Sequence, residues 1–224
     1  MVNSDSEWSA FAAKVIGQAI HSVISEKEIC NVMLTGGNTV VPVYKKWAIT
    51  SAFPFGQSRF FFGDERCVPY DHSESNYALV MNTLLAKGVP SGCLVERMEA
   101  EKSDREAAAK KYEQLLPKEI DVLLLGMGED GHIASLFPGS SALLQEERSV
   151  VPVTGPKPPY QRLTTTPRVI ALARSVFLLV TGEKKGKVLA EALKPEANLM
   201  SLPVCLALNG TWLLDAEAGR QVQN

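Results

Sequence analysis

The chain has 224 residues, a formal net charge of −2 and 46% hydrophobic residues, which suffices for one domain with a buried core. The nearly balanced charge argues against non-specific nucleic-acid binding, which depends on an excess of lysine and arginine. We therefore expect no nucleic-acid partner. No apolar run reaches the length that crosses a bilayer, so we expect no membrane span either.

The cysteines and the first residues predict a cytoplasmic protein. Cys30, Cys67, Cys93 and Cys205 are scattered, and no two have the spacing of a zinc site or the pattern of a disulfide framework. Residues 1–10 carry two acidic residues and no basic patch, unlike a secretion signal. We therefore expect reduced thiols and no metal site.

The first half of the chain alternates helical and extended patterns. Apolar residues recur at helical spacing over 8–23, and Ser4 with Glu7 fits a capping box at the start of that helix. The next predicted elements are a strand at 29–35, a helix at 41–47, a strand at 59–62, and helices at 75–86 and 103–115. Ser103 and Glu106 fit a second capping box, at the start of the last helix.

The second half begins with the apolar run 121–125 (DVLLL), which is typical of a strand buried on both faces of a parallel sheet. The remaining predictions are a proline-rich loop or edge strand at 150–160, strands at 162–166 and 176–180, a loop entering a helix at 181–193, and closing strands at 203–208 and 211–214. This alternation predicts an α/β fold with a mostly parallel sheet and a few added strands. No repeat or linker interrupts it, so we interpret residues 1–224 as a single domain.

Four predicted strands run directly into unusual polar or glycine-rich loops. These loops are TGGNT at 35–39, GDER at 63–66, GMGEDGH at 126–132 and TGEKKG at 181–186. In an open α/β sheet, ligands bind at the carboxyl ends of the strands. The shared position of the four loops therefore predicts one functional site.

The glycine-rich loop Gly36, Gly37, Asn38 and Thr39 is a candidate anion site. Glycines between a strand and a helix let backbone N–H groups approach an anion at the helix N-terminus. An ordinary tight turn is the alternative interpretation. The spacing is not that of a dinucleotide-binding loop, so we infer no cofactor.

The loop at 126–132 is the candidate for catalysis because it places Asp130 and His132 among three glycines, directly after a buried strand. Histidine titrates near neutrality, and a neighbouring carboxylate fixes its tautomer. A surface loop with incidental charges is the alternative. Ser135 is a weaker candidate nucleophile, since no GxSxG motif and no separate base partner accompany it.

Basic residues in or near these loops could bind a phosphate. Arg66, Arg162, Lys184 and Lys185 each follow or lie close to a predicted strand, and arginine in particular presents a fork of donors that matches phosphate oxygens. Taken alone, Arg66 could equally form a salt bridge with a neighbouring carboxylate, and each of the other three is more often a surface charge.

The sequence resembles the 6-phosphogluconolactonases, part of the larger glucosamine-6-phosphate deaminase-like group. The matching segments, in the order of the family, are LTGGNT (34–39), FFGDERCVP (61–69), SNY (75–77), LLGMGEDGHIASLFPG (124–139), RLT (162–164) and VTGEKK (180–185). The resemblance implies a Rossmann-like three-layer α/β/α fold. It also implies hydrolysis of a phosphorylated sugar lactone, 6-phospho-D-glucono-1,5-lactone, to 6-phosphogluconate in the oxidative pentose phosphate pathway, without metal or cofactor.

The resemblance also implies roles for individual residues. His132 is the expected general base, with Asp130 as its supporting carboxylate. The residues expected to bind the substrate and its phosphate are Gly36, Gly37, Asn38, Thr39, Asp64, Arg66, Arg162 and Lys185. Lys184 stays open as an alternative to Lys185. We expect a monomer or a small homo-oligomer.

This sequence departs from the usual family pattern in two places: it has TGGNTV rather than SGGSTP, and RLTTTP rather than RLTLTP. Two other functions are considered. Deaminase relatives carry a glutamate shortly after the histidine, in a pattern like GHIAFNEP, where this chain has Leu136 and Phe137. A non-catalytic sugar-phosphate sensor is the second alternative, although such regulators usually carry an additional DNA-binding helix pair.

Overall fold

The computed structural model describes residues 5–223. Its helices are α1 (Asp5–Lys27), α2 (Val41–Ile49), α3 (Asn76–Thr83), α4 (Arg105–Leu115), α5 (Pro167–Ala171), α6 (Glu183–Ala192) and α7 (Ala216–Val222). Its strands are β1 (Cys30–Leu34), β2 (Ser58–Phe62), β3 (Asp64–Arg66), β4 (Leu94–Val95), β5 (Val122–Gly126), β6 (Val150–Thr154), β7 (Gln161–Thr165), β8 (Ser175–Val180) and β9 (Thr211–Leu214). Ser4, the predicted cap of the first helix, lies outside the described residues.

Six parallel strands form the main sheet, in the order β4-β2-β1-β5-β8-β9. The central strands are apolar on both faces because helices cover both sides of the sheet. Side chains alternate along each strand, so Leu34 and Phe62 belong to one apolar core while Met33 and Phe61 belong to the other. The cores pack against α1–α3 on one face and against α4–α7 on the other. The expected three-layer α/β/α fold is confirmed.

A second, antiparallel sheet of three strands, ordered β3-β7-β6, begins just beyond the carboxyl end of β2. Gly63 is the hinge between the two sheets: its N–H donates to the Leu34 carbonyl at 3.0 Å, and its own carbonyl accepts from the backbone N–H of Thr165 at 2.8 Å. Strands β6 and β7 correspond to segments that the sequence predicted, whereas β3 was not predicted as a strand. The proline-bearing segment forms strand β6 at the edge of this sheet. Proline lacks a backbone N–H, and an edge strand tolerates that loss better than a central one.

Three local predictions were wrong. Asp104, not Ser103, caps α4, and its side chain accepts from the Ala107 N–H at 2.9 Å. The predicted strand at 203–208 is a 3₁₀ helix, Pro203–Ala207, because Pro203 has the fixed backbone angle and missing N–H that suit the first turn of a helix.

The third is the segment GDER, predicted as a loop, of which Asp64–Arg66 form strand β3. Strand β4 and helices α5 and α7 were not predicted. Within residues 5–223, no helix combines the length and the apolar composition that a bilayer crossing requires.

Candidate active site

The carboxyl ends of β1, β2, β5 and β8 open onto a cavity of about 220 Å³. It is lined by Thr35, Gly36, Gly37, Asn38, Thr39, Asp64, Arg66, Asn76, Gly126, Met127, Gly128, His132, Ala134, Arg162 and Lys185. All four loops that the sequence singled out therefore contribute to a single cavity, as expected of an open α/β sheet.

Two contacts fix the glycine-rich loop between β1 and α2. The hydroxyl of Tyr44 donates to the Thr35 carbonyl at 2.8 Å and accepts from the Thr35 N–H at 3.1 Å. A Cβ at Gly36 would lie 1.9 Å from the Asn76 side-chain oxygen, so no larger residue fits there. Gly37 has φ +85°, a conformation that favours glycine. The loop thus presents its backbone to the cavity at the start of α2.

His132 and Asp130 form a close pair at the end of β5. The His132 Nδ1 lies 2.5 Å from the Asp130 Oδ1, and the His132 backbone N–H donates to the same oxygen at 3.2 Å. Burial acts to raise the pKa of the Asp130 carboxyl, but the hydrogen bond and the charge of His132 outweigh it and hold the pKa at about 2. The carboxylate is therefore ionised near neutrality and can only accept a hydrogen bond.

The chain around the imidazole is tightly folded. Gly128 N–H donates to the His132 carbonyl at 2.9 Å, and Gly131 N–H donates to the Gly128 carbonyl at 3.1 Å. A Cβ at Gly128 would lie 2.2 Å from the His132 ring and 2.6 Å from the Asp130 Oδ1. The imidazole also packs on Phe137, with 4.8 Å between the ring centroids. Its position is therefore fixed before any ligand binds.

Two arginines face each other across the small sheet. Arg66 on β3 is the register partner of Arg162 on β7, and like charges placed directly opposite in an antiparallel pair are destabilising. Arg162 is only 7% exposed. The pKa of its guanidinium is lowered, mainly by burial. The charge of Asp64 opposes this change, and the charge of Arg66 adds to it. Such an arrangement favours the binding of an anion between the two side chains.

The two guanidinium groups are held mainly by backbone oxygens. Arg66 donates to the Glu74 carbonyl at 2.6 Å, and its contact with the Glu74 carboxylate is long, at 3.8 Å. Arg162 Nε donates to the Pro159 carbonyl at 3.0 Å, and within residues 5–223 no carboxylate lies within 4.0 Å of its nitrogens. Much of their donor capacity is therefore open to a ligand.

The structure separates the two lysines of α6. Lys185 lines the cavity, and its Nζ donates to the Thr39 hydroxyl at 3.4 Å. Burial lowers the pKa of the Lys185 ammonium group, while the charge of Glu129 opposes that change. Lys184 points away, with a side chain that is 82% exposed and 3.9 Å from Glu129. Arg66, Arg162 and Lys185 are called the cationic cluster below.

Asp64 is buried at the base of the cavity and is already hydrogen-bonded. Its two carboxylate oxygens accept from the Ser135 hydroxyl at 2.6 Å and from the Asn76 amide at 3.0 Å. Ser135 is fully buried, so it serves as a partner of Asp64 and is not placed as a nucleophile. The neighbouring Glu65 is also buried and accepts from backbone N–H groups at the start of α3, which anchors the helix that carries Asn76.

Nine of the ten predicted site residues line the cavity. The tenth, Asp130, contacts His132 from outside the cavity and lines a neighbouring open groove. Six further lining residues were not among those ten. Thr35, Gly126, Met127 and Gly128 belong to loops that the sequence singled out, whereas Asn76 and Ala134 do not. Asn76 lies in the segment SNY, which the family resemblance had marked without assigning it a role. Ala134 has an apolar side chain that carries no chemical signal in the sequence.

Comparison with known proteins gives one consistent result. The family described as Glucosamine-6-phosphate isomerases/6-phosphogluconolactonase matches residues 3–214. The 6-phosphogluconolactonase of Mycobacterium leprae is 34% identical over an alignment of 237 positions, covering 98% of this chain and 96% of the relative. The human 6-phosphogluconolactonase is 33% identical over an alignment of 234 positions, covering 93% of this chain and 90% of the relative.

Solved structures agree with the sequence relatives. The 6-phosphogluconolactonase of Trypanosoma brucei has a TM-score of 0.88 and 29% identity, covering 98% of this chain and 96% of that chain. The 6-phosphogluconolactonase of Thermotoga maritima has a TM-score of 0.82 and 30% identity, covering 92% and 94%. The whole described fold, and not one segment of it, is therefore shared with these proteins.

Proposed function

This chain belongs to the glucosamine-6-phosphate isomerase/6-phosphogluconolactonase family, and we propose that it acts as the lactonase, with His132 as its general base. It hydrolyses 6-phospho-D-glucono-1,5-lactone to 6-phosphogluconate, a step of the oxidative pentose phosphate pathway. The observation that carries the catalytic assignment is the contact between His132 Nδ1 and the ionised Asp130 carboxylate.

That contact supports Nε2 as the basic nitrogen of the imidazole. An ionised carboxylate accepts hydrogen bonds and cannot donate, so Nδ1 of His132 must carry a proton. In the neutral ring, Nε2 is then the unprotonated nitrogen and can accept a proton from water. Asp130 also stabilises the imidazolium that forms during the reaction.

The proposed reaction is a general base-catalysed ester hydrolysis. Nε2 of His132 removes a proton from water, and the resulting hydroxide attacks the lactone carbonyl carbon. Backbone N–H groups of the glycine-rich loops stabilise the tetrahedral oxyanion. When the intermediate collapses, the bond to the ring oxygen breaks, and the imidazolium returns its proton to that oxygen. The products are the open-chain acid and the neutral imidazole.

The cationic cluster binds the phosphate at the other end of the substrate. Arg66 and Arg162 approach from the small sheet, Lys185 from the first turn of α6, and the loop 36–39 adds backbone donors at the start of α2. Binding energy from this remote group orients the lactone carbonyl against His132 and its water. The opposed arginines support this assignment, since a dianion between them relieves their repulsion.

The deaminase alternative is disfavoured by the segment after the histidine. Leu136 is fully buried and Phe137 is 6% exposed, and both are apolar where the deaminase pattern places asparagine and glutamate. A ring-opening isomerase needs that additional acid for proton shuttling, whereas ester hydrolysis does not. Ser135, Leu136 and Phe137 supply no carboxylate in its place.

A direct assay tests the proposal. Purified protein is given freshly made 6-phosphogluconolactone, and hydrolysis is measured above the spontaneous background, with glucosamine 6-phosphate assayed in parallel. Turnover of the lactone alone is the expected result. Release of ammonia from glucosamine 6-phosphate would favour the deaminase, and tight binding of the lactone without turnover would favour a sensor.

For location and assembly, we propose a cytoplasmic monomer or small homo-oligomer. The four cysteines are free, which suits a reducing compartment. Size-exclusion chromatography with light scattering determines the oligomeric state.

A further inference from the structure

Phe137 contacts both halves of the proposed site. Its ring centroid lies 4.8 Å from that of the His132 imidazole, with the planes inclined by 46°. The guanidinium carbon of Arg162 lies 5.4 Å from the centroid of the same ring. One buried side chain therefore touches the proposed base and a member of the cationic cluster.

Close packing around Phe137 restricts the position of the Arg162 side chain. A Cβ at Gly155 would lie 3.0 Å from the Phe137 ring and 3.1 Å from the Arg162 Nε, so backbone packs closely on that side. Arg162 Nε also donates to the Pro159 carbonyl at 3.0 Å. The guanidinium is thus held between a carbonyl and an aromatic face, and such a face attracts a cation.

We propose that Phe137 is a positioning residue that fixes the imidazole of His132 and the guanidinium of Arg162 in one arrangement. The inference rests on the proposed function, and it assigns to Phe137 a role beyond filling the core. Loss of the ring frees Arg162 to turn from the phosphate and lets the imidazole tilt away from the attacking water. Affinity for the phosphate and the rate of hydrolysis therefore fall together.

The test compares variants of the intact enzyme. Phe137→Leu keeps the apolar character but removes the aromatic face, while Phe137→Tyr restores that face. Phe137 also borders the open groove beside Asp130, and tyrosine is the substitution that keeps the aromatic ring with the smallest addition to it. The control is Phe11→Leu on α1, the same substitution at a position that is 50% exposed.

Wild-type turnover of 6-phosphogluconolactone is measured first, and its absence would contradict the proposed function itself. With an active enzyme, Phe137→Leu is expected to raise KM for 6-phosphogluconolactone by about twofold to thirtyfold, the range that one cation–π contact supports, and to lower kcat. KM for unphosphorylated gluconolactone is expected to stay unchanged. Phe137→Tyr is expected to recover both constants, and Phe11→Leu to match wild type.

Two results would overturn the proposal while leaving the lactonase assignment in place. One is a Phe137→Leu enzyme with wild-type kcat and KM. The other is equal impairment of the leucine and tyrosine variants, which would indicate a role in packing alone. If the leucine variant does not fold, Phe137→Met, whose flexible side chain fills irregular space, takes its place with the same expected outcomes.

Discussion

Gly128→Ala tests whether the preformed position of the imidazole determines the rate. The added Cβ would lie 2.2 Å from the His132 ring, whereas ordinary contact begins at 3.4 Å, so the ring has to move by about 1.2 Å. Gly128 is not among the positive-φ glycines, so the backbone itself accepts alanine. The Asp130 Oδ1, at 2.6 Å from the same Cβ, has to move as well.

A misplacement of about 1 Å in a catalytic group can lower the rate roughly a hundredfold. We therefore expect kcat for Gly128→Ala to fall by about a hundredfold, measured by continuous titration of the acid released from 6-phosphogluconolactone. KM should change little, because the cationic cluster is untouched.

The matched control is Gly219→Ala on α7, where no heavy atom lies within 4 Å of an added Cβ. This variant should keep wild-type kinetics, and alanine should stabilise the helix by about 0.5–1 kcal/mol in urea unfolding. A Gly128→Ala enzyme that folds and retains wild-type kcat would refute the claim that this geometry matters.

Three further predictions concern the phosphate and the loop after β1. Arg66→Ala should reduce kcat/KM for 6-phosphogluconolactone far more than for unphosphorylated gluconolactone, and equal losses for both would contradict a phosphate role. Lys185→Ala should weaken binding of 6-phosphogluconate in calorimetry, whereas Lys184→Ala should not, because the Lys184 side chain is 82% exposed and turned outward; the opposite ranking would reassign the phosphate ligand. Tyr44→Phe should lower the free energy of unfolding by about 1–3 kcal/mol in urea titration, since it leaves the backbone N–H and carbonyl of Thr35 unpaired; an unchanged value would show that these groups find other partners.

The sequence was sufficient where local pattern and position agree. Buried strands such as β5 are continuous apolar runs, and the loops that follow them line the cavity, so its position at the carboxyl ends of the strands could be predicted. Strand β3 could not, because three charged residues become a strand only by pairing with β7, about a hundred positions later in the chain. The apolar run at 203–208 has no periodicity that distinguishes strand from helix.

Contacts between distant residues account for most of what the sequence missed in the site. Ser135 has no partner nearby in sequence, yet its hydroxyl donates to Asp64, 71 positions away. The choice between Lys184 and Lys185 depends on the rotation of α6, since adjacent helical residues point about 100° apart. Only the three-dimensional arrangement places one lysine in the cavity and the other in solvent.

The most direct test of the account is the His132→Asn variant, assayed for turnover and for binding of 6-phosphogluconate in parallel. Asparagine cannot act as a base near neutrality, so kcat should fall by about a hundredfold to ten-thousandfold, while product affinity should stay within about threefold of wild type because the cationic cluster is intact. A folded His132→Asn enzyme that hydrolyses 6-phosphogluconolactone at the wild-type rate would contradict the central claim.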